Sequence, residues 1–509
     1  MNIIKISSLI IILLLVYNIL RQNDLIVNFP LTEDGYYSMT IARNIALGNN
    51  ITIDGKQLTN GFQPLFTFIT VPAFWLTNGN HYNSIRIIWL ICILINLGAS
   101  YLAGTIIRDL FFTKDTTSGK HAFWITFSLY LSSLFLFSQH FNGLETGCSL
   151  LMVLLLWRVY QLKGMNHNKS ALILGIISGF GVLARIDLVF LVITIAVFNF
   201  IYNKNLVPLR QRMIILLIYC SAAFIISSPW WFYNYFVFGS LMPSSGRAQF
   251  EFMLPAHRIL EMYNTIIMEL SPYSYTLDRF LNGISGLFIR TILIGLPAII
   301  IIKLSKSHDV QQYLRNSGNK PALLFAIILF IFSLVLLVWY SLFSTATWFY
   351  MRYLVYFALI TILFWGFILS YIYLKNKKIL YINFIYILGY ILVLSVWYFG
   401  WFNNGNTFYN HQLKMVEQYV PENDKIGSSQ TGTLGYFRDY VINLDGKVNY
   451  QVLHYQHNMN FYLEKNNIMW FCDWEEFITK YLGNNPEING WHKIAIFNKF
   501  FLYHRNVLK

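Results

Sequence analysis

The sequence predicts a polytopic α-helical membrane protein that carries a small mixed α/β domain at its C-terminus. Three observations carry this expectation. Hydrophobic residues make up 56% of the chain and charged residues only 12%, against roughly a quarter charged in soluble globular proteins. The apolar residues gather into runs long enough to cross a bilayer, and mean hydropathy is +0.49. From Trp401 onwards these runs stop, and residues 401–509 hold ten basic and ten acidic side chains. Before that point the chain has too little polar surface to face water, so the bilayer is its solvent.

A helix crosses the hydrocarbon with about 20 apolar residues, which gives about eleven spans here. They are Ile3–Leu20, Ile85–Ile107, His121–Ser138, Thr146–Tyr160, Ala171–Leu183, Leu188–Tyr202, Met213–Trp230, Ser285–Ile302, Ala322–Phe343, Met351–Tyr373 and Ile379–Gly400. The run Phe62–Leu76 contains Pro64 and Pro72 and has no charged flanks, so it reads as an interfacial or re-entrant helix. With that choice, alternate loops collect Arg108, Lys114 and Lys120; Lys163 and Lys169; Lys204, Arg210 and Arg212; Lys303, Lys306, Arg315 and Lys320; and Lys375, Lys377 and Lys378. These fifteen basic residues face only three acids, Asp109, Asp115 and Asp309. Cytoplasmic loops concentrate Lys and Arg, so the split puts the N-terminus inside. The net charge of +14 is then topology, and no nucleic-acid footprint is read from it. Lys5 precedes the first run and no small-residue cleavage site follows it, which reads as a signal anchor.

Residues 1–400 are therefore expected to form the membrane domain, with external loops at 21–84 and 231–283, and 401–509 an external domain. That domain, at about 110 residues, is long enough for its own core. A helix is expected near Gln412–Tyr419, with strands at Lys425–Ser429, Tyr440–Leu444, Ile468–Cys472 and Lys493–Phe497. Thr431-Gly-Thr-Leu-Gly435 lacks dinucleotide-binding spacing. Cys92, Cys148, Cys220 and Cys472 form no CxxC pair, so the sequence carries no zinc or redox signature and no disulfide framework. There is no internal repeat of the kind that builds many transporters.

Polar residues of interest recur where spans end on the outer side. The first loop begins Thr32-Glu33-Asp34-Gly35-Tyr36-Tyr37-Ser38 and continues through Arg43-Asn44 to Asn60-Gly61-Phe62-Gln63-Pro64. A carboxylate beside apolar walls and a second carboxylate has the character of a general base. The plainer reading is a helix start capped by Thr32, with Glu33 and Asp34 favoured by the positive helix end. The turn His140-Phe-Asn142-Gly-Leu-Glu145 adds another acid. Arg185 and Asp187 stand between two apolar runs, either facing a cavity or neutralising each other. Pro243-Ser-Ser245-Gly-Arg247 and Arg352 follow. Arginine suits phosphate through its planar fork, and at membrane depth it also serves as an interfacial anchor. Outside a bacterial inner membrane nucleotide donors are absent, so group transfer there would draw on an activated donor that crosses in lipid form.

These motifs resemble GT-C glycosyltransferases. Glu33-Asp34-Gly-Tyr-Tyr, Ile41-Ala-Arg-Asn-Ile-Ala and Asn60-Gly-Phe-Gln-Pro are similar to the first external loop of the bacterial arabinofuranosyltransferase-like group. Asn142-Gly-Leu-Glu145-Thr, Ala184-Arg-Ile-Asp187, Pro243-Ser-Ser-Gly-Arg247 and Asn443-Leu-Asp-Gly-Lys-Val-Asn449 resemble its later signatures. The resemblance implies a GT-C-like membrane domain and an inverting transfer of a sugar from a polyprenyl-phosphate donor to an acceptor hydroxyl on a glycan, lipid or protein, in cell-envelope glycan assembly. It implies Asp34 as base, with Glu33 supporting it or exchanging roles with it. Glu145 is the second acidic position, orienting the acceptor or, in some members, helping to hold a divalent metal. Arg352 and Arg247, and after them Arg43 and Arg185, are implied as donor-phosphate ligands. Tyr37, Asn60, Gln63, His140, Asn142, Asp187 and Ser245 are expected substrate contacts. No cofactor is required by the sequence, no metal ligands are assigned, and metal dependence stays open. A lipid-linked glycan polymerase or ligase ranks lower, because 231–283 holds only Arg247, Arg258, Arg279 and His257 as its arginines and histidine. A transporter or flippase ranks lower too, because the span centres are nearly free of charge.

Overall fold

The computed structural model describes residues 2–252 except 28–29, 112–115 and 206, isolated positions between 253 and 319, residues 320–398 except 347–348, and residues 408–505. The expected span Ser285–Ile302 lies outside the described residues, as does most of the loop beyond residue 252.

The chain is a multi-pass helical membrane protein. Among the described residues six helices are long and apolar enough to cross a bilayer: α1 (Asn2–Ile19), α5 (His81–Phe111), α11 (Leu209–Phe238), α13 (Lys320–Phe343), α15 (Val355–Lys375) and α16 (Ile379–Val393), which a π-helical turn carries on to an 18-residue span ending at Val396. A seventh forms if α6 (Thr116–Leu131) and α7 (Leu134–Phe141) count as one span bent by 62°. The bend has a local cause. The Ser132 hydroxyl donates back to the Ser128 carbonyl, and the Ser133 hydroxyl caps α7 by accepting from the Leu136 amide. Such side-chain bonds compete with the helical ladder. The expected uninterrupted span His121–Ser138 is thus two helices.

Among the described residues the count of eleven is not confirmed: Ser285–Ile302 lies outside them, and the expected spans α9 (Asn168–Ala184, 17 residues) and α10 (Val189–Tyr202, 14 residues) are short. The helix expected to be interfacial or re-entrant, α4 (Pro64–Leu76, 13 residues), is shorter still. At 1.5 Å per residue, 13 residues rise only about 20 Å, less than the roughly 30 Å hydrocarbon. α8 (Thr146–Lys163) has 18 residues, but Arg158 and Gln161 make it more polar than its neighbours. Packing is tightest where side chains are smallest. A Cβ on Gly179 of α9 would sit 2.8 Å from the Ala223 carbonyl of α11, so the two backbones approach as small-residue membrane pairs do.

The C-terminal domain contains a five-stranded sheet in the order β2-β1-β3-β5-β4, from β1 (Ile426–Ser428), β2 (Val441–Asn443), β3 (Trp470–Trp474), β4 (Trp491–Phe497) and β5 (Phe500–Arg505). β1 runs parallel to β2 and β3, and β5 runs antiparallel to β3 and β4. Four strands fall where the apolar runs predict them. The fifth follows a two-residue turn with Asn498 at φ 56°, a hairpin that its Asn-Lys sequence signals only weakly. Helix α17 (Phe408–Tyr419) covers the sheet, with Met415, Val416, Leu434, Phe500 and Leu502 in one core.

This domain seats on the first loop of the membrane part through α3 (Glu33–Ala46) and α18 (Gly432–Phe437). Tyr36 and Tyr436 pack ring to ring at 5.2 Å, and the Tyr436 hydroxyl donates to the His81 carbonyl at 2.7 Å. Two glycines permit the approach: a Cβ on Gly61 would collide with the Lys447 carbonyl, and one on Gly432 with the Glu33 carbonyl. A Gly61→Val substitution is therefore expected to unseat the C-terminal domain while the spans stay assembled. Hydrogen exchange should rise across residues 430–450 and remain unchanged in the membrane helices.

Candidate active site

The helix α3 begins at Glu33, and adjacent helical residues point about 100° apart. The two acids therefore cannot face the same place. Glu33 turns towards the C-terminal domain and is buried. Its carboxylate accepts from the Gly432 amide, from the Thr433 amide at 3.0 Å and from the Thr433 hydroxyl at 2.6 Å. It sits at the N-terminal end of α18, where helix charge favours an anion. Burial pushes this carboxyl up to about 7, against the pull of those donors. Thr32 does not cap α3 with its side chain; its hydroxyl donates to the Asn142 carbonyl instead.

Asp34 turns the other way, into a cavity of about 370 Å³ at the junction of the two parts of the chain. Tyr37 and Ser38, three and four residues on and so on the same helix face, line it as well. The Asp34 carboxylate lies 3.6 Å from the ammonium of Lys447, which itself lies 3.5 Å from Asp445. Burial lowers the hold of Lys447 on its proton, but Asp34 and Asp445 outweigh it and keep the ammonium above its usual range. Glu145, which opens α8, lines the same cavity, as do Gln63, Arg185, Asp187, Ser245 and Arg352.

The arginines differ in what they are free to do. Arg185 engages three of its five N–H donors within the protein. It makes a two-pronged bond to Asp187, at 3.2 and 2.5 Å, and donates to the Arg352 carbonyl at 2.8 Å. Tyr340 donates to the same Asp187 at 2.8 Å and stacks on Tyr353 at 3.9 Å. Arg352 lies over Phe349 at 4.7 Å and Tyr353 at 5.4 Å, and among the described residues no ion pair involves it. Arg185 thus ties Asp187 to the segment that carries Arg352.

Several other expected contacts lie away from the cavity. Glu33 is a docking residue for the reason given. Arg43 donates to the Gly79 carbonyl at 3.2 Å and faces Asp439 at 3.9 Å. Arg247 stacks over Tyr450 and donates to its hydroxyl at 2.9 Å. His140 is buried against the Tyr130 hydroxyl at 3.0 Å. Asn60 bridges Asn234 and the Ser244 amide, and Asn142 accepts from the Leu144 amide within its own turn. Tyr37 and Gln63 line the cavity, but their polar ends are engaged: the Tyr37 hydroxyl donates to the Ser429 carbonyl, and Gln63 accepts from the Ile186 amide. These residues share the junction because they build it.

Residues missed in the sequence complete the site. Lys447 lies inside the Asn443–Asn449 motif, yet a lysine in a C-terminal domain carries no signal that it reaches the first loop. Tyr340 and Tyr353 lie inside the expected spans Ala322–Phe343 and Met351–Tyr373, where an aromatic residue carries no signal of a site. Phe190, Phe250, Trp339 and Phe343 pack ring to ring and line the cavity with Trp231, indistinguishable by composition from lipid-facing residues. No group of three or more His, Cys, Asp or Glu gathers to hold a metal among the described residues, and Asp34 already faces an ammonium. No step below passes through a metal.

No family model matches the chain, and neither does any curated protein. Solved structures do. ArnT from Cupriavidus metallidurans bound to undecaprenyl phosphate is similar over 98% of this chain and 97% of its own, with a TM-score of 0.51 at 12% identity. The Archaeoglobus fulgidus oligosaccharyltransferase in its apo form is similar over 97% of this chain and 72% of its own, with a TM-score of 0.50 at 14% identity. The chain therefore has the GT-C fold.

Two measurements check this geometry. Glu33→Ala strands two buried amides at about 1–3 kcal/mol each, and should lower the thermal midpoint and loosen the C-terminal domain. The folded carboxyl lies above its ordinary value, so its contribution is complete below about 4.5, the unfolded value, and is lost as pH rises through about 7. Burial raises Asp473 in the same direction, also to about 7. The wild-type midpoint should fall across that window, and Glu33→Gln should reduce the slope. Separately, Asp187→Ala leaves Arg185 buried and unpaired, a loss of about 3–5 kcal/mol, readable by thermal denaturation in detergent.

Proposed function

Proceeding from that fold, we propose that the chain is a glycosyltransferase that moves a sugar from a polyprenyl-phosphate donor to an acceptor hydroxyl. The observation that carries this is the cavity itself. Its lining includes clustered aromatic rings, suited to a prenyl chain. The same lining carries Asp34, Glu145 and Arg352, whose guanidinium lies over the Phe349 and Tyr353 rings and joins no ion pair among the described residues. Arginine at such a place suits a phosphate oxygen.

In the proposed reaction Asp34 takes the proton of the acceptor hydroxyl as that oxygen bonds to the anomeric carbon. The bond from that carbon to the phosphate oxygen breaks, and its electron pair leaves on polyprenyl phosphate, whose charge Arg352 meets. Attack from the face opposite the leaving group inverts the anomeric centre. Glu145 faces the same space and orients the acceptor. The ArnT structure similar to this chain holds undecaprenyl phosphate, which supports a polyprenyl donor here. The predominance of Lys and Arg on alternate loops supports a bacterial inner-membrane protein with the N-terminus in the cytoplasm and the cavity and C-terminal domain on the outer side.

Membranes containing the wild type and Asp34→Asn, supplied with a polyprenyl-phosphate-linked sugar, test the reading. Transfer should fall by about 100- to 10,000-fold in the variant, and an unchanged rate removes Asp34 as base. Arg352→Ala should raise the KM for donor more than that for acceptor; the opposite pattern removes its phosphate role.

A further inference from the structure

Nothing in the chemistry above uses Lys447, yet its side chain crosses from the C-terminal domain and ends in the cavity wall. Its ammonium lies 3.6 Å from Asp34 and 3.5 Å from Asp445, longer in both cases than the roughly 2.7–2.9 Å of a direct charge-assisted hydrogen bond. It is shared by two carboxylates and fully engaged by neither. The same ammonium stands 5.6 Å from the centre of the Phe349 ring, and the Arg352 guanidinium stands 4.7 Å from it. One ring is flanked by two cations, one from each part of the chain. Both cations also line the same cavity, so an anion entering it meets one from each part of the chain.

The geometry points to Lys447 as the second cation of a phosphate clamp with Arg352, delivered by the C-terminal domain, whose ligand is the phosphate ester of a lipid. This rests on the transferase reading and deepens it. Lys447 neutralises Asp34 in the geometry described. A lipid phosphate competing for that ammonium loosens the pair and leaves the Asp34 carboxylate a stronger proton acceptor. Donor binding and activation of the base are thereby one event. The donor site is also incomplete without the C-terminal domain.

Titration of the purified full-length protein in detergent with polyprenyl monophosphate tests the clamp without turnover. Lys447→Met should weaken binding by about ten- to a hundredfold, and Lys447→Arg should retain most of the affinity. Asp34→Asn should bind at least as tightly as the wild type, because the competing carboxylate is gone; a structural role for the pair predicts weaker binding and overturns the clamp. If the Met variant does not fold, the Arg and Asp34→Asn variants carry the same decision. Equal binding by the wild type and Lys447→Met overturns the clamp, and continued sugar transfer by the wild type then leaves the transferase reading standing. Inorganic phosphate and phosphatidylglycerol vesicles serve as parallel probes. If either shows the same Lys447-dependent affinity as polyprenyl phosphate, the assignment to a polyprenyl ester is overturned. A wild type that neither binds polyprenyl phosphate nor transfers sugar overturns the transferase reading, and this inference with it.

Discussion

The structure depends on a buried carboxylate that belongs to one part of the chain and is satisfied by the other. Glu33 leaves the membrane part at the first turn of α3 and ends on the backbone amides of Gly432 and Thr433. A carboxylate out of water is costly unless donors meet it. Here the donors come from a helix end that would itself be unsatisfied without it. Each side completes the other, and Gly61 and Gly432 let the backbones come close enough for the exchange. The cavity lies beside this contact, so its floor and its lid are in register only while the contact holds.

Inside the cavity the charges balance. Asp34, Glu145 and Asp187 face Arg185, Arg352 and Lys447. Their pairing is uneven. Arg185 and Asp187 are closed on each other and on Tyr340, which fixes them as scaffold. Arg352 is held by aromatic faces, and Lys447 is divided between two acids. In a site of low dielectric the rigid pair contributes shape, whereas the loosely held cations are those an incoming anion can recruit.

Much of the fold was legible in the sequence because it follows from hydropathy and periodicity. The long spans, the change of composition at 401 and four of five strands were readable for that reason. The bend at Ser132 and Ser133 was not, since an apolar run hides a side-chain bond to its own backbone. The first-loop acids and Arg352 were readable as polar residues out of place in an apolar chain. Their division was not. Only the 100° step between Glu33 and Asp34, and the partner that each meets more than 390 residues later in sequence, separates docking from chemistry. Arg43, Arg247 and His140 show the same limit. A polar residue near a membrane face is as readily engaged by a neighbouring carbonyl or ring as by a substrate.

The short helices have a consequence for the lipid around them. α4 and α10 rise only about 20 Å each, while neighbours such as α5 and α11 have 31 and 30 residues. Where a bilayer meets a helix this short beside ones that long, it thins on the short side or the long helices tilt, at a modest cost per ångström. α10 borders the cavity through Val189 and Phe190, and the segment leading into α4 does so through Phe62 and Gln63. Thinning there lowers the headgroup layer towards the polar end of the cavity, so that an amphiphile diffusing in the plane would meet the opening with its polar end already at depth.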